Sequence, residues 1–362
     1  QKYFDYATGL TMTNNKFDKL FGNLRRNPDE EKIAQFHMDV AASIQKVTEF
    51  VMLKIVKSLH NEYKIENLCL AGGVALNCVA NGKILKEKIF KNIWIQPAAG
   101  DAGGSLGAAL GYWFNELKKE RPNNNKDQMK CSYLGPEYSS LEIKDILEDI
   151  GANFETLSKD EVLDFTTDKL IEGKAIGWFQ GKMEFGPRAL GGRSIIGDPR
   201  SPEMQKKLNL KVKFRESFRP FAPAVLLEDL REWFDLESES PYMLLVGKVN
   251  KSKLIQQTTD QKSAKGLEKL DIIRSEIPAV THVDDTARIQ TVTAENGIYF
   301  DLLKKFKDKT GCPIIVNTSF NIRGEPPVNT PIDAYKCFMT TDLDVLVIGN
   351  CILEKNKQIN FD

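Results

Sequence analysis

Four times along this chain a short apolar run stops at a loop of glycine, proline or small polar residues. Leu68-Cys-Leu-Ala71 leads into Gly72-Gly73-Val-Ala-Leu-Asn77, and Asn92-Ile-Trp-Ile95 leads into Pro97-Ala-Ala-Gly-Asp101-Ala-Gly-Gly104. Ala175-Ile-Gly-Trp-Phe-Gln180 leads into Gly181-Lys-Met-Glu-Phe-Gly-Pro-Arg-Ala-Leu-Gly-Gly-Arg-Ser194, and Pro313-Ile-Ile-Val316 into Asn317-Thr-Ser-Phe-Asn321-Ile-Arg-Gly-Glu-Pro326. Runs this short and this apolar read as buried strands. A helix through Leu85 follows the first loop and one over Ser105–Leu117 follows the second. Strands that alternate with helices predict an α/β fold with a twisted sheet.

The rest of the chain fills in around these units. Residues 1–26 read as irregular. Asn27-Pro28-Asp29-Glu30 has the chemistry of a helix start: a capping amide, a proline at the first helical position and two acids facing the dipole. Ile33, Phe36, Val40, Ile44, Val47, Val51, Ile55 and Leu59 then step by three or four, which predicts an amphipathic helix laid on a core. Gly107, Ala108, Ala109 and Gly111 predict a closely packed face on the helix after the second loop. Residues 119–130 are polar and read as a linker, with a second domain from Cys131. There Leu141–Ile150 reads as a helix, and Ser158-Lys-Asp-Glu161 is a capping box opening another that ends at Gly173. Val280–Val283 and Ala287–Val292 read as a strand pair, 251–269 as a flexible excursion, and Glu295–Lys309 as a helix stopped by Gly311. The first residue is Gln, and Tyr3-Phe-Asp-Tyr6 resembles the interior of a longer sequence, so a piece of a larger protein is expected.

Composition excludes several classes. Fifty Lys and Arg balance fifty Asp and Glu among 362 residues, which argues against a general nucleic-acid coat protein. Cys69, Cys78, Cys131, Cys312, Cys337 and Cys351 form no CxxC, so neither a disulfide framework nor a cysteine zinc site is expected and a reducing cytoplasm fits. No apolar run approaches membrane-spanning length. Within this neutral chain, residues 181–220 carry ten Lys or Arg (182, 188, 193, 200, 206, 207, 211, 213, 215, 219) against four acids (184, 198, 203, 216), a net of +6. A surplus of that kind is either a solvated face or an anion site. Glycines and prolines threaded between the arginines favour the anion, because a solvated face has no use for them.

The available chemistry is cationic and polar. There is no phosphate-binding Walker loop, no GxSxG and no HExxH. His37 and His60 lie at opposite ends of one helix. His282 stands alone in the second domain, so a Ser-His-Asp triad is not expected. Arginines, lysines, amides and hydroxyls suit phosphoryl or acyl-phosphate chemistry, where catalysis is positioning and charge neutralisation. Arg188, Arg193, Lys213, Arg215 and Arg219 are suited to neutralising two polyanions at one site, with Arg288 a further candidate. Asn317, Ser319 and Asn321 offer an amide, a hydroxyl and an amide for phosphate or ribose oxygens. Gly72 and Gly73 before a helix make either a phosphate contact or a plain tight turn. Asp101, at a strand's carboxyl end, holds a metal or a hydroxyl, or caps the following helix.

Ala71-Gly-Gly-Val-Ala-Leu-Asn77, the Pro97–Gly104 loop with Gly107-Ala-Ala109, Phe185-Gly-Pro-Arg-Ala-Leu-Gly191 with Arg193-Ser194, Phe218-Arg-Pro-Phe-Ala-Pro223, His282-Val with Thr286-Ala-Arg288-Ile-Gln-Thr291, and Asn317-Thr-Ser-Phe-Asn321 together resemble one family in order. It is the O-carbamoyltransferase family of nodulation and antibiotic biosynthesis, which includes the tobramycin and cephamycin carbamoyltransferases. The resemblance implies part of an actin/sugar-kinase-like carbamoyl-transfer domain over residues 1–118 and a YrdC-like α/β domain over 131–362. The YrdC-like domain would make carbamoyl-adenylate from carbamoyl phosphate and ATP with Mg2+, releasing phosphate and pyrophosphate. The other domain would pass the carbamoyl group to the hydroxyl of a sugar-containing or antibiotic-like acceptor, using a bound iron. Lys213-x-Arg215 and Ser319-x-Asn321 resemble the signatures of the YrdC-like fold, with Arg188 beside them. Gly72, Gly73 and Asn77 would receive the adenylate, and Asp101 matches a metal ligand. The family's HxxxH metal pair is absent here, so the chain is expected to hold only the second half of the transfer domain. A homodimer is an open expectation. RNA binding by a YrdC-like face, or a non-catalytic role, is the competing reading.

Overall fold

A computed structural model describes residues 2–7, 9, 11–22, 26–27, 30–122 and 127–358. The chain divides into two compact units, residues 1–48 and 49–362. In the first, Asn14 caps a helix at Asn15–Leu20 by accepting from the amides of Lys16 and Phe17, so the opening stretch is not wholly irregular. A long helix, Gln35–Tyr63, begins in this unit. Its expected start at 27–30 is not where the helix begins: residues 30–34 are non-helical, and Pro28 and Asp29 lie outside the described residues.

The second unit carries two sheets. The smaller pairs β1 (Asn67–Leu70) with β2 (Asn92–Ile95) in parallel. The larger is ten-stranded and mixed. Its strands are β3 (Glu155–Thr156), β4 (Ile176–Phe179), β5 (Arg193–Gly197), β6 (Ala222–Leu226), β7 (Phe234–Asp235) and β8 (Leu245–Val249). Then come β9 (Thr286–Val292), β10 (Ile314–Ser319), β11 (Val345–Ile348) and β12 (Cys351–Glu354). The order is β3-β12-β11-β4-β5-β10-β6-β9-β8-β7, with only β11–β4 and β6–β9 parallel. Helices Lys159–Ile171 and Ile298–Thr310 help close the core around Trp178, Phe306, Phe320 and Phe338. The capping box at Ser158 and Glu161 forms as expected, and Gly311 ends its helix at φ 74°.

Register determines where a site can lie. Ser319 of β10 sits opposite Ser194 of β5, Asn317 opposite Ala222 of β6, and Gln290 of β9 opposite Ala224. The end of β10 and the beginnings of β5, β6 and β9 therefore meet at one end of these central strands, with the 181–192 loop after β4. Asn317 and Ser319, expected in a loop, are strand residues, because β10 pairs on both sides as far as β5 and β6 extend. The expected Val280–Val283 strand is absent: Pro278–Val280 is a 3-10 turn, and the amide of His282 donates to Thr286 O across a tight turn. The 251–269 segment contains short helical turns, Lys251–Lys253 and Thr259–Ser263.

Two packing expectations are overturned. The apolar stripe of the long helix is exposed, Ile44 at 61% and Ile55 at 52%. The face that buries carries Val56, with Met52 and Leu53, against Leu68 and Ile84. The helix is apolar on two sides, and β1 with the helix Cys78–Lys86 meets the side that the periodicity did not mark. The small residues Gly107, Ala108 and Ala109 are also exposed, and nothing lies near a side chain built on Gly107 or Gly111. β1 buries only Leu68, so it is not the fully buried strand its composition suggests.

Candidate functional site

Three loops that are distant in sequence converge at this end of the central strands. Gly186, at φ 145°, brings its backbone so near that a Cβ would lie 3.1 Å from Pro97 O. A side chain there would push the 97–104 loop away. Arg188 Nη2 donates to Leu76 O at 3.4 Å, which ties the same loop to the 72–77 turn. Asn81, in the helix after that turn, donates from Nδ2 to Leu244 O at 3.1 Å, next to β8. Ala75, Ile95 and Ala99 share a buried cluster with Leu190, Ala222 and Leu245.

The 181–194 loop is knotted from inside by Glu184. Its Oε1 accepts from the amides of Leu190 at 2.6 Å and Gly192 at 2.7 Å, and its Oε2 from Arg193 N at 3.1 Å. Arg193 is wholly buried. Its Nη1 donates to the carbonyls of Gln180, Gly181 and Gly192 and its Nη2 to Pro136 O, at 3.0–3.2 Å. The guanidinium stacks 3.5 Å from the centre of the Phe179 ring. Burial lowers its pKa to about 10, with Glu184 opposing. Below the loop, Asn317 Nδ2 donates to Ala189 O at 3.0 Å and to Gln290 Oε1 at 2.6 Å, and Gln290 Nε2 donates to Leu190 O at 2.8 Å. Asn317 Oδ1 is buried without a partner.

A different environment surrounds Arg188, Arg215 and Arg288. Burial is the main cause lowering both Arg188 and Arg288, the latter to about 10. The charges of Arg188 and Arg215 lower Arg288 further, whereas Cys78 opposes the shift at both Arg188 and Arg288. Arg215 is also lowered to about 10, by burial and by Arg219. It is steadied by Nε donating to Asn209 Oδ1 at 2.7 Å and by the Phe221 ring. Among the described residues none of these three arginines has a carboxylate partner, and the Nε atoms of Arg188 and Arg288 are buried without an acceptor. Half-buried like charges held near one another without a counterion are costly unless an anion completes them.

Lys213 stands beside this group. It follows the helical turn Leu208–Val212 and is buried. Its Nζ donates to Ser319 O, to Asn321 O at 2.9 Å and to Asn321 Oδ1 at 2.7 Å, with Ser319 Oγ at 3.3 Å. The expected pairing of Lys213-x-Arg215 with Ser319-x-Asn321 is thus realised in space. Burial, then Arg215, pushes Lys213 down to about 7. Arg219 is half exposed and pairs with Glu216 at 3.0 Å, and its charge reaches Arg215.

In the smaller lobe, Gly72 has φ 96° and, like Gly73, faces open space. Asn77 Oδ1 caps the next helix by accepting from Ala80 N at 3.1 Å. Asp101 is exposed in the turn before the helix Gly103–Gly111. It contributes one carboxylate. Among the described residues no three His, Cys, Asp or Glu side chains gather as a metal site, so the residues present do not make up an iron site.

Sequence reasoning missed Glu184, Asn209, Gln290 and Cys78. Glu184 and Asn209 had only one signal, an acid and an amide inside basic loops. Gln290 and Cys78 had none, since their roles depend on partners far along the chain.

The carbamoyltransferase C-terminus family model matches residues 167–355, and the carbamoyltransferase N-terminus model matches residues 1–110. An uncharacterized protein of Synechocystis, sll1178, is 55% identical over 98% of this chain and 58% of its own length. Nodulation protein NolNO of Sinorhizobium fredii is 41% identical over 89% of this chain and 44% of its own. The 3'-hydroxymethylcephem-O-carbamoyltransferase of Streptomyces clavuligerus is 29% identical over 78% of this chain and 48% of its own. The chain thus spans about half the length of the curated relatives it matches. With both family models matched and the arginine loops at one end of the central strands, this chain belongs to the carbamoyltransferase family.

Proposed function

We propose that this chain carries the carbamoyl-activating site of an ATP-dependent O-carbamoyltransferase. The observation that carries the reading is the group Arg188, Arg215 and Arg288, half-buried near one another with no carboxylate ion pair among the described residues, beside Lys213. Such a group is suited to the phosphates of ATP and carbamoyl phosphate, which repel each other unless neutralised. In the proposed step water splits carbamoyl phosphate into carbamate and phosphate. A carbamate oxygen then attacks the α-phosphorus of ATP, held with Mg2+, and pyrophosphate leaves. An acceptor hydroxyl next attacks the carbamoyl carbon, AMP leaves with the bonding pair, and the hydroxyl proton passes to solvent.

Lys213 would add its charge to the phosphate site from the end of β10 while holding Ser319 and Asn321 in place. Arg193 fixes the loop and is assigned no ligand. Residues 131–362 are read as YrdC-like. Gly72, Gly73 and the amides following Asn77 are read as one wall of the actin/sugar-kinase-like lobe that receives the adenylate. Asp101 would offer one oxygen ligand to iron. The name of the Streptomyces clavuligerus relative supports a cephem-like alcohol as one acceptor class, and a sugar-containing alcohol is the other acceptor class we propose. No described helix is long and apolar enough to cross a membrane, and all six cysteines are free, which suits a cytoplasmic enzyme.

The test is pyrophosphate release from ATP with and without carbamoyl phosphate, beside Arg188→Ala, Arg288→Ala and Lys213→Ala. Release that depends on carbamoyl phosphate and is lost in all three variants supports the reading. Release that survives Arg288→Ala, or a folded wild type that binds neither ATP nor carbamoyl phosphate in calorimetry, rejects it.

A further inference from the structure

We propose that His282 reads the carbamoyl amino group: held in one tautomer by Thr286 and Asp284, it presents an unprotonated Nε2 that accepts a hydrogen bond from that group's N–H. The proposal rests on the carbamoyl phosphate reading above and adds a residue that distinguishes the carbamoyl end from the phosphate end.

Proton bookkeeping along three side chains fixes the tautomer. Thr286 Oγ1 has a single proton, and it donates to Asp284 Oδ1 at 2.7 Å; the same carboxylate oxygen accepts from Thr286 N at 3.2 Å. An ionised carboxylate only accepts, so the hydroxyl proton is committed to it. His282 Nδ1 lies 3.1 Å from Thr286 Oγ1 and therefore faces the lone pairs of that oxygen. Nδ1 carries the ring proton, which leaves the lone pair on Nε2. The turn is fixed by the amide of His282 donating to Thr286 O at 2.8 Å and that of Asp285 to His282 O at 3.0 Å. The ring also stays neutral. Burial lowers its pKa to about 4, with Arg288 adding to the shift and Asp284 opposing it.

Position gives this acceptor its use. Thr286 and Arg288 alternate along β9 and so project to the same face of the sheet. The ring that bonds to Thr286 lies on that face too, within reach of the Arg288 charge. Arginines and a lysine satisfy phosphate oxygens, but they repel an amino group, which only donates. A neutral nitrogen lone pair within reach of Arg288 supplies the missing acceptor. A site that hydrogen-bonds a substrate N–H rejects an analogue without it more sharply than an apolar pocket rejects a change of size. Acetyl phosphate is that analogue, with methyl in place of amino.

The experiment measures carbamoyl phosphate and acetyl phosphate affinities by calorimetry on the whole chain, with 15N long-range spectra of the ring. The chain has three histidines, so His282→Ala assigns the signal by difference. Wild type is expected to show a protonated Nδ1, to bind carbamoyl phosphate about tenfold more tightly than acetyl phosphate, and to shift its Nε2 signal only with the former. His282→Ala should lose the preference while keeping acetyl phosphate affinity. Thr286→Val, which keeps the ring but frees its tautomer, should reduce the preference and mix the tautomers, and Thr286→Ser should restore both. A protonated Nε2 in wild type, or a preference that survives His282→Ala, overturns the proposal while leaving the arginine site standing. Equal loss of both ligands in His282→Ala reduces the residue to a structural role and also overturns it. Wild type that binds neither ligand overturns the carbamoyl phosphate reading, and this proposal with it.

Discussion

Arg193 and Arg188 belong to the same loop and meet opposite fates. Around Arg193 the two terminal nitrogens are filled: four carbonyls accept from them, a phenyl ring lies against the guanidinium plane, Glu184 binds nearby amides, and only Nε lacks an acceptor. Around Arg188 a single carbonyl at 3.4 Å accepts, its Nε has no acceptor, and the neighbouring charge of Arg288 is of the same sign. Burial depresses both. A buried guanidinium whose terminal nitrogens are filled by carbonyls is architecture, and a half-buried one with a single long contact beside a like charge marks a place for an anion.

The sharpest way to break this contrast is stability. Arg193→Ala should cost about 3 kcal/mol in chemical denaturation, because four carbonyls lose their donor in a dry interior. Arg188→Ala and Arg288→Ala should leave stability unchanged or raise it by up to about 1 kcal/mol, because each relieves like-charge repulsion. A costly Arg288→Ala with a harmless Arg193→Ala would invert the assignment.

Anion binding should show the reverse order. Sulfate affinity, measured by calorimetry, is expected to fall about 100-fold in Arg288→Ala, roughly 2.7 kcal/mol. Sulfate should also raise the melting temperature of wild type by mass action and fail to do so in that variant. Arg219→Ala, whose charge is half exposed and already paired with Glu216, should change sulfate affinity by less than about threefold.

The smallest effect is a pH dependence. Lys213 is held near 7. It is charged below that value and loses its charge above it, so sulfate affinity should fall up to about tenfold as pH rises from about 6 to 8. Lys213→Arg should flatten this slope. The linked stability runs the other way. Between about 7 and the ordinary lysine value the unfolded chain binds the proton that the folded chain releases, so this group makes stability rise with pH.

Much of the site is legible in the order of residues alone. The glycine-bearing loops, the Lys213-x-Arg215 and Ser319-x-Asn321 pairs and the capping box at Ser158 are local patterns whose meaning depends on nearby residues. The arginine surplus around 181–220 is visible too, but not its division into Arg193, Arg219 and the Arg188 group. That division depends on Pro136, Phe179 and Leu76, which no spacing connects to the loop. The long helix shows the same limit: its periodic stripe is real, yet Val56 rather than Ile55 finds a partner.

The sequence by itself determined the α/β character, the order of the loops and the family, because short apolar strands, turn glycines and ordered motifs are one-dimensional facts. Tertiary structure alone decided which cations are satisfied and which are left open. It also decided which face of the long helix is buried and which ring nitrogen of His282 carries the proton. Each of these depends on hydrogen-bond partners and packing surfaces that sheet register, and not chain proximity, brings within about 4 Å.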